Sequence, residues 1–402
     1  IGAYTYMMDA VRKMTAGAVD LGEKPSVVSA IAKYHVTERA RQVVNDGMDI
    51  IGGKGICLGP SNFMGRAYQQ VPIGITVEGA NILTRSLIIF GQGAIRCHPY
   101  LLPEMQAAQN KDVRQGLVDF DQALWGHIGY TIKNGLRALW LGMTGSHFVA
   151  VDADIAPELK RYYQQMTRFS AAFAFLSDIS LLVLGGSVKR REKLSARLGD
   201  ILAQMYLISC ALKRYEDDGR QSADLPLLNW AIWDAIYKAQ EAFDGVIANF
   251  PNRFIGAFLH RSIFPWGHPY VVPSDDLGHQ VAKLLIQPSA SRDRLTAECY
   301  LPLTEKEPVG AIELALVATL EAEGIEAKIR EAEKAGRFAN NPLANVRDIA
   351  LAAVECGVIT AAEFDKMKRR NALRDIVVHV DDFPFDFNVA TANKPAPERK
   401  AA

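Results

Sequence analysis

Between Leu194 and Leu212 the apolar residues Leu194, Leu198, Ile201, Leu202, Met205, Ile208 and Leu212 recur at steps of three and four. That period matches the turn of an α-helix and conflicts with the alternation of a half-buried strand. The same step returns earlier in Val28, Ile31, Ala32, His35, Val43, Val44, Met48 and Ile51, with Gly22 and Pro25 before the run and Gly52-Gly53 after it. Glycine accepts backbone angles that other residues resist, so the pair is predicted to stop that helix. Further helices are predicted over 1–21, 118–141, 156–184, 189–215, 227–248, 307–335 and 346–370, with a shorter one near 277–286. No internal repeat, no βαβ alternation and no Gly-x-Gly-x-x-Gly after a strand is present. The expected class is all-α, with no dinucleotide-binding fold.

Composition narrows the function. The 402 residues carry 45 basic and 45 acidic side chains, a balance that excludes the net basic surface of a nucleic-acid binder. Cys57, Cys97, Cys210, Cys299 and Cys356 are scattered without a Cys-x-x-Cys pair, which suits reduced thiols. The eight histidines form no His-Glu-x-x-His pattern, and no metal is expected. The longest weakly charged run, 169–188, contains Asp178, which would cost about 2.5–3.5 kcal/mol at the centre of a membrane span. A buried helix of a soluble bundle fits it better, with surface association left open. The chain opens inside a helix at Ile1, so residues upstream of it are expected.

From Gly52 to Thr76, Gly55, Gly59, Pro60, Gly65, Pro72 and Gly74 predict a long loop, ordered by the interleaved Phe63, Met64, Tyr68, Val71 and Ile73. Loops of such length are usually functional or disordered. Helix is expected again from near Gly79 to Phe90. The segment Thr76-Val77-Glu78-Gly79-Ala80-Asn81 sets one carboxylate in an apolar turn. Such a setting makes a carboxylate a stronger base toward a carbon acid. The plain structural alternative is a glutamate at a helix N-terminus, favoured by the macrodipole. His35 on an apolar face reads as a core histidine. His98 and His268, each before Pro-Tyr, read as turn residues. Met7, Met8 and Met14 read as core or acyl-chain lining. The basic cluster 189–193 reads as a solvated helix end or an anion contact. Phe250, Phe254, Phe258, Phe264 and Trp266 suit a domain cover, a dimer contact or a membrane contact. An extended segment is predicted over 374–387, and a disordered tail after Ala390.

With Gly52-Gly53-Lys54-Gly55, then Val77-Glu78-Gly79 and Arg85, the chain resembles the acyl-CoA dehydrogenases. That family's C-terminal helical domain carries a Gly-Gly-x-Gly loop, a Glu-Gly turn and an arginine seven residues after the glutamate, and Ile31-Ala32-Lys33 matches a recurrent segment upstream. Leu184-Gly185-Gly186-Ser187 and the run 189–200 resemble the extra helical domain of the long bacterial enzymes of fatty-acid degradation. The resemblance implies a C-terminal half of such an enzyme: a C-terminal helical bundle over 1–99, a second mostly helical domain over 100–389, and a tail over 390–402.

The implied chemistry is FAD-dependent α,β-dehydrogenation of a fatty acyl-CoA to a trans-2-enoyl-CoA, the first step of β-oxidation. In it Glu78 removes the α-proton, the backbone N–H of Glu78 and a flavin hydroxyl hold the thioester carbonyl, Gly79 leaves room for the thioester, and Gly52 and Gly53 pack against FAD. Asp49 and Ala80 stand where the family usually has glutamine and threonine. The side-chain contacts to FAD are therefore not carried over, whereas the backbone contacts are. Arg85 reads as a structural or phosphate-side residue. The implied partners are fatty acyl-CoA, an electron-transferring flavoprotein and further copies of the chain, in the cytoplasm or at the inner face of a bacterial plasma membrane. The residues alone are expected to be inactive, because the family's flavin is covered by a β-domain. A non-catalytic assembly module and an acyl-CoA oxidase are the alternative readings.

Overall fold

The computed structural model describes residues 1–338 and 346–381, apart from the side chains of 346–348. Sixteen α-helices follow one another among these residues. They are α1 (Gly2–Asp20), α2 (Ser26–Ile51), α3 (Met64–Thr76), α4 (Asn81–Leu83), α5 (Phe90–Cys97), α6 (Leu101–Ala108), α7 (Val113–Met143) and α8 (Lys160–Leu184), then α9 (Glu192–Asp217), α10 (Leu225–Ala248), α11 (Arg253–Ile263), α12 (Asp275–Leu285), α13 (Ala290–Thr296), α14 (Pro308–Lys334), α15 (Val346–Glu355) and α16 (Ala361–Val378). A π-helical stretch, Thr84–Ile89, joins α4 to α5. No strand occurs among the described residues, so the all-α expectation holds.

The chain divides into two compact units, the first 1–43, 71–285 and 290–295, the second 44–70, 286–289 and 296–402. In the first, α9 packs against α10 and α1, and α7 against α8 and α6. The apolar stripe read from 194–212 faces inward: Leu198, Ile201 and Ile208 share one core with Tyr6, Met7 and Val11 of α1, Phe169 and Leu176 of α8, and Ile232 and Phe243 of α10. Each fully buried side chain of this size contributes about 1.5–3 kcal/mol. The run around Asp178 lies inside that core, where α8 buries Phe175, Leu176, Ser177, Asp178 and Ser180. By length and composition Pro157–Arg190 could cross a membrane, and 44% of its most apolar window is buried inside the protein. We read it as a core helix. Of the three methionines of α1, Met7 is core, whereas Met14 is exposed and lines a cavity of about 390 Å³ with Leu21 and Arg214.

In the second unit, α14 pairs with α16. Ile325 and Ile329 of α14 meet Ala350, Ala353, Ile359 and Met367 in a small core. Thr360 and Glu363 form a capping box at the start of α16. The Lys328 ammonium, then the Thr360 backbone N–H, pulls the Glu363 carboxyl down to about 2 from its usual 4.5. A depressed carboxyl stabilises the fold above its unfolded value, so this contribution is complete above pH 4.5 and is lost as pH falls toward 2. The protection factors of the amides in the first turn of α16 are expected to fall as pH drops across that window and to be flat above it.

Several boundaries differ from the sequence reading. Of the predicted loop 52–76, residues 57–63 are non-helical, whereas Gly52–Ile56 form a 3₁₀ turn and Met64–Thr76 form α3. Only Gly52 among the glycines of that stretch has positive φ (+67°), and Gly65 and Gly74 lie inside α3 without breaking it. Gly65 instead serves contact, since a Cβ there would lie 2.9 Å from the Gly55 carbonyl. Helix α16 runs to Val378, so 374–378 is helical rather than extended. The single helix predicted over 346–370 is broken by Gly357 at φ +67°. Helices α6 and α11 were hidden by prolines at their ends or inside them. The turn read at Asn340-Asn341-Pro342, residues 382–387 and the tail after Ala390 lie outside the described residues.

Candidate active site

Helix α3 closes when the Val77 N–H donates to the Ile73 carbonyl at 3.0 Å. The chain then bends through 77–79 and enters α4 behind Ala80. Gly79 sits at φ +80°, a left-handed angle that makes glycine the natural residue there. Its carbonyl is clasped from two sides, by the Lys33 ammonium at 2.8 Å and the Thr84 hydroxyl at 3.2 Å. Beneath it lies Asn81, which is buried. The Asn81 amide donates to Thr37 Oγ1 and to Glu38 Oε1, each at 2.9 Å, and its oxygen accepts from Lys33. Partial burial lowers the Lys33 ammonium below the ordinary lysine value, with Glu38 opposing. One turn and a half of α2 thus fixes the bend through Lys33, Thr37 and Glu38. Asn81→Ala leaves these groups without their partner and is expected to destabilise by about 1–3 kcal/mol, read from the denaturant midpoint.

Glu78 stands on this held bend and is exposed, as are Thr76, Val77 and Gly79. The apolar neighbours in sequence therefore do not desolvate the carboxylate within these residues. Among the described residues the Glu78 side chain has no hydrogen-bond or ion-pair partner, and its backbone N–H has no acceptor. It is not the cap of α4 either: that position is Ala80, with no side-chain cap bond. Arg85, seven residues on, is committed elsewhere. It grips Asp200 of α9 with Nε at 2.9 Å and Nη2 at 2.5 Å. That hydrogen bond makes the guanidinium hold its proton more tightly than an ordinary arginine. This pair ties the π-helical stretch to α9 and gives Arg85 a structural contact.

Gly52 and Gly53 belong to the second unit, Glu78 and Gly79 to the first. Helix α2 ends at Ile51, so the pair does stop it. Both glycines are exposed, and a Cβ built on either would meet nothing within 4 Å among the described residues. The turn after them is pinned by buried Asn62, whose amide donates to the Lys54 carbonyl at 2.7 Å and whose oxygen accepts from Met64 N–H at 3.0 Å. A groove of about 630 Å³ in the same unit is lined by Ile50, Ile51, Phe63, Ile312 and Ile376, with Lys54 and Lys306 at it.

Two family models match the chain in succession. The model described as "Acyl-CoA dehydrogenase, C-terminal domain" covers residues 2–90. The model described as "Acyl-CoA dehydrogenase, C-terminal, bacterial type" covers residues 95–383. The chain belongs to the acyl-CoA dehydrogenase family. No solved structure matches it. The first match contains the paired glycines and the Glu78 bend, and the second contains the helices from α6 onward.

The acyl-CoA dehydrogenase chain also gathers a polar cluster that sequence reasoning missed. His98, taken above for a turn residue, meets His127 of α7 and Asp178 of α8, with ligand atoms within 4.8 Å of one another. Three such groups could hold a metal ion. Their hydrogen bonds favour a closed network. His98 Nδ1 accepts the N–H groups of Tyr100 and Leu101 at 3.2 Å, which leaves the proton on Nε2, donated to Asp178 at 2.8 Å. Asp178 also accepts from Thr131 at 2.8 Å, and His127 Nδ1 bonds Glu104 at 2.8 Å. A metal on His98 Nε2 would displace that proton toward an atom already facing two donors. The separations of 29 and 80 residues hide the cluster from any local motif. His35, by contrast, is the buried core histidine expected, paired with Arg39 at 2.7 Å.

Proposed function

We propose that this chain is the C-terminal half of a FAD-dependent acyl-CoA dehydrogenase, with 1–99 as its catalytic helical domain, 100–389 as an added helical domain, and Glu78 as the base that takes the α-proton of a fatty acyl-CoA. The observation that carries the reading is the Glu78 bend. It presents a carboxylate with no side-chain partner among the described residues, on backbone that Lys33, Thr84 and Asn81 hold in place. Pre-organised geometry of this kind is what a general base requires. The Glu78 backbone N–H, without an acceptor among the described residues, fits a donor to the thioester carbonyl, where charge develops as the α-proton leaves. A substrate lying against the bend would desolvate the exposed carboxylate, the setting in which a carboxylate becomes a stronger base.

The paired glycines fit the close approach of a flavin. Both are exposed, a side chain at either would meet none of the described residues, and Gly52 holds a left-handed angle. FAD, when bound, supplies the hydride-accepting chemistry. The chain's own residues bind, orient and move the proton. An electron-transferring flavoprotein is the proposed acceptor, in the bacterial cytoplasm, and a homo-oligomer the proposed assembly. The test is oxidation of a saturated acyl-CoA by the flavin-loaded enzyme that contains this chain, with and without oxygen. Enoyl-CoA formed anaerobically with a flavoprotein acceptor supports the reading. Peroxide formed in stoichiometric amounts in air would make it an oxidase instead.

A further inference from the structure

Two stretches of the chain, 122–151 and 245–274, contain no aspartate or glutamate, in a protein that carries 45 acidic residues. The structure puts them together. The first covers most of α7 and the second all of α11, and these helices pack on each other. At the join, Trp266 Nε1 donates to the Met143 carbonyl at 3.0 Å, and a Cβ on Gly142 would lie 2.8 Å from Pro265.

The outer face is apolar. Trp125, Ile128, Ile132, Leu136, Trp140 and Met143 follow the helical step along α7, and all are exposed. The opposite side of the same helix is buried through Ala123, Asn134, Ala138 and Leu141. Lys133 and Arg137 flank the stripe, and both are exposed. On and after α11, Phe254, Phe258 and Trp266 are exposed beside Arg253 and Arg261, whereas Phe250 and Phe264 of the same aromatic group are core. Three of the chain's five tryptophans stand on this face, at 71%, 58% and 78% exposure for Trp125, Trp140 and Trp266. The acids of α7, Asp119 and Asp121, are confined to its N-terminal end, and Asp244 is tied to His268 at 3.1 Å.

We infer that the α7–α11 face docks on an anionic lipid surface. An apolar stripe with tryptophans and flanking lysine and arginine is the composition that lies in a membrane interface, rings at headgroup level and cations toward the phosphates. A second copy of the chain is the poorer occupant. A two-fold contact sets a patch against itself, so Lys133, Arg137, Arg253 and Arg261 would meet the same cations with no carboxylate to pair them. The inference does not depend on the role of Glu78.

The test is flotation with vesicles of phosphatidylcholine alone and of phosphatidylcholine mixed with phosphatidylglycerol, on this chain and on the flavin-loaded enzyme. Both are expected to float with the anionic vesicles, with a blue shift of tryptophan emission, and to stay behind with the neutral ones. Lys133→Gln with Arg137→Gln is expected to weaken anionic binding on the order of thirtyfold. Ile132→Glu with Leu136→Glu is expected to abolish it with helical circular dichroism unchanged, because both positions face solvent. Equal binding to the two vesicle types, no binding to either, or binding by the chain that vanishes in the enzyme would overturn the inference. So would a lipid-independent dimer that the Ile132→Glu, Leu136→Glu variant dissociates.

Discussion

Replacing Glu78 by glutamine is expected to lower the rate of acyl-CoA oxidation by about 10²–10⁴-fold while the enzyme keeps its flavin and its affinity for acyl-CoA. Glutamine has the shape and polarity of glutamate and cannot accept the proton. The structural cost should be negligible, because the Glu78 side chain is exposed and bonds to nothing among the described residues. A rate loss therefore reports chemistry. The neighbouring Arg85→Gln is the contrasting variant. It breaks the grip on Asp200 and so is expected to lower stability first, with turnover per folded molecule less affected than in Glu78→Gln. If Glu78→Gln turns over at the native rate, the bend is a connector and another group supplies the base.

The largest stability effect is expected at Arg214. Its side chain is 3% exposed and bonds Asp9 at 3.0 Å and Asp218 at 3.2 Å. It also donates to the Tyr6 carbonyl at 2.9 Å and lies 4.3 Å over the Tyr6 ring. One guanidinium thus rivets α9 to α1. Arg214→Ala leaves part-buried carboxylates and a buried carbonyl without a donor, and should cost about 3–5 kcal/mol. Arg214→Lys should recover only part, because an ammonium cannot fork to three acceptors in one plane. The acid limb carries a second signature. Burial raises the Asp9 carboxyl, and hydrogen bonding by Arg12 with the charges of Arg214, Lys13 and Arg12 outweighs it, leaving Asp9 below its usual 3.8. That contribution is full above pH 3.8 and is lost as pH falls below it. In Arg214→Ala the loss on acidification should shrink, as measured by denaturant midpoints across pH 3 to 6.

What could be read from the sequence was what depends on near neighbours. The periodicity of 194–212 named the buried face of α9, and the spacing of Gly52-Gly53, Glu78 and Arg85 pointed to the family before any coordinates. The failures share one cause. The glycines of 53–74 looked like breakers because glycine is read by its freedom, yet Gly65 is there for close approach to Gly55 and keeps an ordinary helical angle. Periodicity predicts that α7 is helical and cannot say whether its apolar stripe faces a core or water. The Lys33–Asn81 clasp and the His98–Asp178 bond span 48 and 80 residues, distances at which only the packed fold brings partners together.

The proton removal proposed for Glu78 can be tested apart from flavin reduction. Wild-type enzyme incubated in deuterated water with an acyl-CoA whose β-position cannot lose hydride should exchange the α-hydrogen, followed by mass spectrometry. Glu78→Gln, binding the same compound equally well, should leave the α-hydrogen in place. Exchange by Glu78→Gln at the wild-type rate would contradict the assignment of the base.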